Sequence, residues 1–355
     1  EKDQEALEVY LEEVKEKTIQ FGTPIERLHA LVDQDFYYDL FKEYSEADLE
    51  EINEFADSIP FQFASYMSAS KFFKDYALKT NDKSQYLETY KEHVIIVSLY
   101  LAKGNVAQAK QFIEGMIEQR IQPATPTFLN AGRARRGELV SCFLLEVDDS
   151  LNSINFIDST AKQLSKIGGG VAINLSKLRA RGEAIKGIKG VAKGVLPVAK
   201  SLEGGFSYAD QLGQRPGAGA VYLNIFHYDV LEFLDTKKVN ADEDIRLSTI
   251  STGLIVPSKF FDLAKEGKDF YMFAPHTVER EYGKTLDDIN LDEYYDELVA
   301  NPNIIKKAKD AREMLNTIAQ TQLQSGYPYL MFKDNANKVH PNSDIGQIKM
   351  SNLCT

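Results

Sequence analysis

The chain has 355 residues, 43% hydrophobic and 26% charged. This is the composition of an ordinary globular protein, excluding disorder, collagen-like repeats and coiled coil as descriptions of the whole, at a length that suggests two or three packed units. A formal net charge of −12, from 41 Lys and Arg against 53 Asp and Glu, argues against a chain whose main task is to hold nucleic-acid phosphates.

The acidity is concentrated at the start, where residues 1 to 60 carry 18 acidic and 5 basic side chains. The remainder is nearly neutral and can tolerate anionic ligands. No signal peptide precedes the charged Glu1 to Glu16 stretch, and the lack of an initial Met is read as a processed, cloned or trimmed start. No run of about 18 apolar residues exists, so no membrane span is expected. Two cysteines in such a length cannot be a secreted disulfide framework, so a reducing cytoplasm is the expected compartment.

From Glu1 to about Gln122 apolar residues recur three or four apart, in Ala64 to Leu78, Tyr90 to Leu101 and Val106 to Ile117. This spacing predicts a helical N-terminal domain over 1–122. Polar turns at Thr80 to Lys83 and at Lys103-Gly104-Asn105 separate its helices. The texture changes at Pro123-Ala124-Thr125-Pro126, and 14 of the 22 glycines lie between positions 131 and 220, where special turns and close backbone approaches are therefore expected. A second domain is expected over 123–355.

Strands are expected at Leu139 to Val147, Val171 to Leu175, Ala220 to Phe226, Thr249 to Val256, Phe270 to Phe273 and Tyr327 to Phe332. Helices are expected at Ser150 to Lys166, Val191 to Leu212, Val230 to Lys237, Lys259 to Lys265, Leu291 to Val299 and Ala311 to Ser325. Strands alternating with helices imply crossover units and a mainly parallel sheet or barrel, an α/β fold.

Gly283-Lys284-Thr285 resembles the end of a phosphate-binding loop, but the earlier glycine is replaced by Val278. Gly217-Ala218-Gly219 lacks the third glycine of a dinucleotide fingerprint, Tyr222 standing in its place. Five scattered histidines and two distant cysteines give no metal-ligand spacing, so no metal site is expected, and His227 and His340 are read as hydrogen-bonded structural residues.

Two cysteine contexts remain, Ser141-Cys142-Phe143-Leu144-Leu145 on an expected strand and Ser351-Asn352-Leu353-Cys354 on an expected extended loop. Taken singly, each cysteine reads more readily as an inert buried small residue than as a reactive thiol. Their surroundings carry more. Thr125-Pro126 with Asn130-Ala131-Gly132, Ser141-Cys142, Gly168-Gly169-Gly170, Asn174 to Gly182, Gln214 to Ala220 and Ser351 to Cys354 stand in order along most of the chain. In these blocks the chain resembles the large catalytic subunit of class I ribonucleotide reductase, most of all its class Ib branch.

The resemblance implies a helical N-terminal domain followed by the first half of a ten-stranded α/β barrel, a five-stranded parallel half, with a cysteine-bearing loop threaded through its centre. It implies an oxidoreductase of deoxyribonucleotide biosynthesis, supplying DNA replication by reducing ribonucleoside diphosphates under allosteric control by deoxynucleoside triphosphates. By analogy Cys354 is the thiyl-radical residue, and Cys142 is one of two thiols that become a redox-active disulfide as the 2′-hydroxyl leaves as water. Asn352 holds the ribose hydroxyls for the radical step. Sulfur suits this task because its S–H bond is close in strength to the ribose C3′–H bond, so hydrogen abstraction can be reversible. Thr125 and Ser141 are expected substrate contacts, toward diphosphate and ribose.

For the effector, the resemblance assigns Asp149 to the sugar and Arg179 and Lys186 to the phosphates, with Gln211 and Arg215 on the specificity loop. The residues alone, without the resemblance, favour a capping Asp at the helix start and solvated cations. The implied partners are a nucleoside diphosphate substrate, a dNTP or ATP effector, a second copy of the chain through 151–166 and 191–212, and a glutaredoxin- or thioredoxin-like reductant. The radical comes from a small β subunit with a di-metal (Mn or Fe) tyrosyl centre, and no cofactor is bound by this chain; nucleic acid and membrane are not among the expected partners. The family motif Asn-x-Cys-x-Glu runs one residue past Thr355, so the chain is expected to be incomplete for turnover. The alternatives are a glycyl-radical type of enzyme, and a non-catalytic nucleotide-binding half-barrel that needs a complementing polypeptide.

Overall fold

The computed structural model describes residues 2–209 and 217–353. The chain divides into two compact units, Glu1–Ser141 and Cys142–Thr355.

The first unit is helical, with helices Lys2–Glu16, Pro24–Asp33, Glu46–Ser58, Tyr66–Asp75, Tyr90–Ala102, Val106–Ile117 and a short Thr125–Asn130. Four of them start with reciprocal side-chain caps, Thr23 with Glu26, Ser45 with Asp48, Ser65 with Ser68 and Thr89 with Glu92, each satisfying N–H groups that the first turn leaves open. Tyr90–Ala102 is buried on nearly every side, from His93 through Leu99. Residues 125–141 belong to this unit because Phe128 and Ala131 lie in its core and Asn130 grips Glu138 O and Gly137 N–H.

In the second unit the strands are β1 (Cys142–Glu146), β2 (Gly170–Asn174), β3 (Gly219–Asn224), β4 (Ser251–Val256), β5 (Asp269–Phe273), β6 (Lys306–Asp310) and β7 (Tyr329–Phe332). Five of them form one parallel sheet in the order β1-β2-β3-β4-β7, while β5 and β6 pair antiparallel. This is the expected five-stranded half of a barrel. Successive residues of a strand face opposite sides. Val171, Ile173, Val221, Leu223, Leu254 and Val256 point into the main core, where the helices Leu151–Lys166 and Leu196–Tyr208 also pack. The alternate residues Ala172, Ala220, Tyr222, Ile255 and Met331 form a second, smaller cluster on the other face, here the inner face.

Three expectations are corrected. The helix expected from Val191 begins at Leu196, because Gly194 takes the left-handed conformation and Pro197 fits only the first turn. The strand β6 was not expected, since Lys-Lys-Ala-Lys-Asp has no apolar alternation; it lies at the edge of a two-stranded sheet and needs none. The helix Pro275–Tyr282, with proline in its first turn, was also unforeseen. Among the described residues no helix is long and apolar enough to cross a membrane.

Candidate active site and effector loop

The inner face of the half-barrel is lined by unusually small residues. Gly170 and Ala172 of β2, Ala220 of β3 and Gly253 of β4 leave a groove beside the ring of Tyr222. The C-terminal segment fills it: Met350 joins the inner cluster, with Ile348 and Leu353 packed against it. A Cβ placed on Gly170 would lie 3.0 Å from Leu353 Cδ2. The Tyr222 hydroxyl donates to the carbonyl of Asn352 at 2.7 Å. Upstream, the Asn337 amide donates to Ile348 O and accepts from Ile348 N–H, both at 2.8 Å, as a neighbouring strand would.

Cys142 opens β1 and pairs in register with Gly170. Opposed residues of a parallel pair share a face, and Phe143 and Leu145 of β1 pack on the main core. Cys142 therefore stands on the inner face, next to the glycine that Leu353 covers. Ser141 is the half-buried last residue of the helical unit. Thr125 is exposed at the start of its helix, 3.2 Å from the Tyr76 hydroxyl. Cys354, Gln211 and Arg215 lie outside the described residues.

At the C-terminal ends of the strands a buried polar knot joins the sheet to the loop after residue 283. Asn174 and Asn224, the last residues of β2 and β3, donate their amides to the two oxygens of Asp287 at 2.7 and 2.8 Å. Lys333 Nζ donates to the Asp287 carbonyl. Burial pushes the Asp287 carboxyl above the usual range, against the pull of the two amides and Lys333.

The second candidate site lies between β2 and the helix Leu196–Tyr208. Asp149 and Arg179 meet here: Asp149 accepts from Arg179 N–H at 3.1 Å and from its Nε at 2.5 Å, and Arg179 Nη1 donates to Ala184 O at 2.5 Å. Ser150, not Asp149, caps the helix Leu151–Lys166, its hydroxyl accepting from Ser153 N–H. Asp149 is thus committed to Arg179 while its neighbour does the capping expected of it.

The loop that follows is tied at its base. Asp229 accepts from Arg181 N–H and from Val195 N–H, and Ile185 and Ile188 exchange backbone hydrogen bonds across its tip. Lys186 sits in that turn at φ +51, exposed, with Lys189 and Lys193 exposed nearby. His227 anchors the preceding backbone as a neutral ring, Nδ1 accepting from Asp229 N–H and Nε2 donating to Leu178 O. Burial pushes it below the ordinary histidine value.

Sequence reasoning missed Glu183. Its carboxylate is buried beneath this loop and accepts from Ala180 N–H at 2.6 Å and Thr277 N–H at 3.3 Å. Burial first, with Asp149 adding to it, pushes Glu183 up to about 7, against the two N–H donors and Arg179. Tyr222 and Asn337 were missed as well. The alternation of small residues in β2 to β4 was the one available signal for Tyr222, since it marks a face that must be covered by something other than helices.

A parallel half-barrel whose small-residue inner face carries Cys142 and is covered by the segment Ile348 to Leu353 is the class of fold and site defined here. Comparison with known proteins makes it specific. The family model described as ribonucleotide reductase, barrel domain, matches residues 140–355, the all-alpha domain matches 62–136 and the N-terminal model matches 1–61. The chain belongs to the ribonucleotide reductase large-subunit family. It is 51% identical over 356 residues to the ribonucleoside-diphosphate reductase subunit alpha of Bacillus subtilis (strain 168), covering 100% of this chain and 51% of the relative. It is 53% identical to the NrdEB subunit alpha of the same organism, covering 100% and 33%, and 47% identical to subunit alpha of Mycoplasma pneumoniae, covering 99% and 49%. The chain thus spans a third to about half the length of these relatives.

Proposed function

We propose that this chain is the part of a ribonucleoside-diphosphate reductase alpha subunit that holds the radical cysteine segment and the effector site. The observation that carries this reading is the seating of Asn352 and Leu353 on the small-residue inner face beside Cys142. In this reading Cys354 abstracts the 3′ hydrogen of a ribonucleoside diphosphate as a thiyl radical. Cys142 and a further thiol then deliver two electrons, forming a disulfide while the 2′-hydroxyl departs as water. The Asn352 side chain orients the ribose, with its backbone fixed by Tyr222. Thr125 and Ser141 serve as polar contacts to the substrate. The radical is supplied by a separate di-metal small subunit, and the disulfide is re-reduced by a thioredoxin- or glutaredoxin-like protein.

The Asp149–Arg179 pair and the cationic loop with Lys186 support a site for a deoxynucleoside triphosphate, since a guanidinium suits forked phosphate contact. Gln211 and Arg215 pass the identity of that nucleotide to the substrate side. Exposed Leu151 and Phe156 on one helix and Tyr208 on the other support a homodimer through these helices, because exposed apolar groups of this size mark contact surfaces.

The test is calorimetric titration of the chain with dTTP. The reading expects binding that Arg179→Ala weakens by about tenfold or more, the value of one charge-assisted phosphate contact. Equal affinity in both proteins removes the proposed phosphate contact, and no binding of any nucleotide removes the effector reading.

A further inference from the structure

The segment Lys349 to Leu353 is held at both of its ends. At one end Leu353 covers Gly170, the register partner of Cys142. At the other, Lys349 Nζ lies 2.8 Å from Asp288 Oδ1 and 3.7 Å from Glu146 Oε1. Glu146 is the last residue of β1 and shares the inner face with Cys142, since both stand at even spacing along the strand. Cys142 and Glu146 stand four positions apart, as do Lys349 and Leu353. The segment therefore runs opposite to β1, with Lys349 at its Glu146 end and Leu353 at its Cys142 end. A shift along β1 would carry Lys349 away from both carboxylates.

We infer that Lys349 is a positioning residue whose ion pairs with Asp288 and Glu146 fix the placement of the segment Lys349 to Leu353 along β1. The surroundings make the pin specific. Lys177 holds the other oxygen of Glu146 at 3.2 Å and Asp148 at 2.9 Å, and Thr285 donates to Asp288 Oδ2. Glu146 Oε1 accepts no hydrogen bond among the described residues, so Lys349 is the cation that faces it. Burial alone would push Lys349 down and Asp288 up. Their pairing reverses both, leaving Lys349 above and Asp288 below their ordinary values.

This inference rests on the reading that Cys142 and Cys354 work at one site, and its test separates the two. Cys142 and Cys354 are the two cysteines of the sequence, so dibromobimane, which becomes strongly fluorescent when each of two thiolates displaces one bromide, reports their meeting in the 355-residue chain. Wild type is expected to cross-link readily. Lys349→Met, which keeps length and loses charge, is expected to cross-link about fivefold more slowly, the upper range for a solvent-accessible ion pair, with Lys349→Arg close to wild type. Should Lys349→Met fail to fold, as its melting curve would reveal, Asp288→Asn removes the nearer partner at a more open position and is expected to slow cross-linking in the same direction. Equal rates in wild type and the folded charge-loss variant overturn the role of Lys349 and leave the cysteine pair standing. Failure of wild type itself to cross-link overturns the pairing of the cysteines.

Discussion

Adding a single methyl group at Gly253 probes how the inner face is built. A Cβ there would lie 2.3 Å from Cε1, 2.6 Å from Cδ1 and 2.8 Å from Cζ of the Tyr222 ring. Tyr222 is fully buried, so the ring can yield only by moving toward the segment it holds through Asn352 O. Gly253 does not sit at positive φ, so the cost of Gly253→Ala is overpacking rather than backbone strain. Overpacking of a close-packed core costs about 1–3 kcal/mol, which for a unit of this size lowers its melting midpoint by roughly 2–4 °C per kcal/mol. The assay is thermal and urea unfolding of the 355-residue chain, in wild type and in a Tyr222→Leu background. If the ring is the obstacle, Gly253→Ala is expensive with Tyr222 present and much cheaper with leucine there. An equal cost in both backgrounds, or no cost in either, refutes the packing argument.

Three further outcomes follow from the same geometry. Glu183 titrates near 7 in the folded chain, above the ordinary carboxylate value of 4.5, so its ionisation favours the unfolded state as pH rises between those values; wild type should lose stability over pH 5 to 8 by a component absent from Glu183→Gln, and parallel profiles would contradict the assignment. Glu88 in the helical unit is buried and held down to about 2, where burial is overcome chiefly by His93 and also by Arg133 and Tyr37. Its contribution is present above the ordinary carboxylate value and fades as pH falls toward 2. Glu88→Gln should destabilise the helical unit by about 3–5 kcal/mol, since it strands buried cations, as urea unfolding would reveal; a shift below about 1 kcal/mol would mean that the network contributes no more than a surface pair. Tyr222→Phe should cost about 1 kcal/mol through the lost hydrogen bond to Asn352, seen as a small fall in midpoint, and no change would mean that the hydroxyl does not anchor the segment.

The two-part organisation was legible because its signals are local. Helical spacing recurs as far as Ile117, and the three short apolar runs β2, β3 and β4 are buried on both faces of the sheet. The strand β6 was not legible because an edge partner of β5 needs hydrogen bonds and no apolar face. Asp149 and Arg179 were marked by resemblance, and the geometry joins them, but their direct pairing depends on a loop that returns 30 residues later. Glu183 and Lys349 left no local signal, and Tyr222 left only the small-residue alternation around it. Their partners lie far along the chain, Tyr222 to Asn352 spanning 130 residues, and no local pattern records which carboxylate a lysine will meet. Proline and glycine were the better guides to boundaries, as at Gly194 and Pro197, where the helix starts later than its apolar pattern.

We propose that the cysteine-bearing segment and β1 together form the reducing centre of a ribonucleotide reductase. The most direct measurement is deoxyribonucleoside diphosphate formation by the chain extended to the full length of its relatives, supplied with a radical-bearing small subunit and a dithiol reductant. The account predicts turnover that Cys354→Ser abolishes, while Cys142→Ser permits no repeated turnover. Full activity with either cysteine replaced would contradict it.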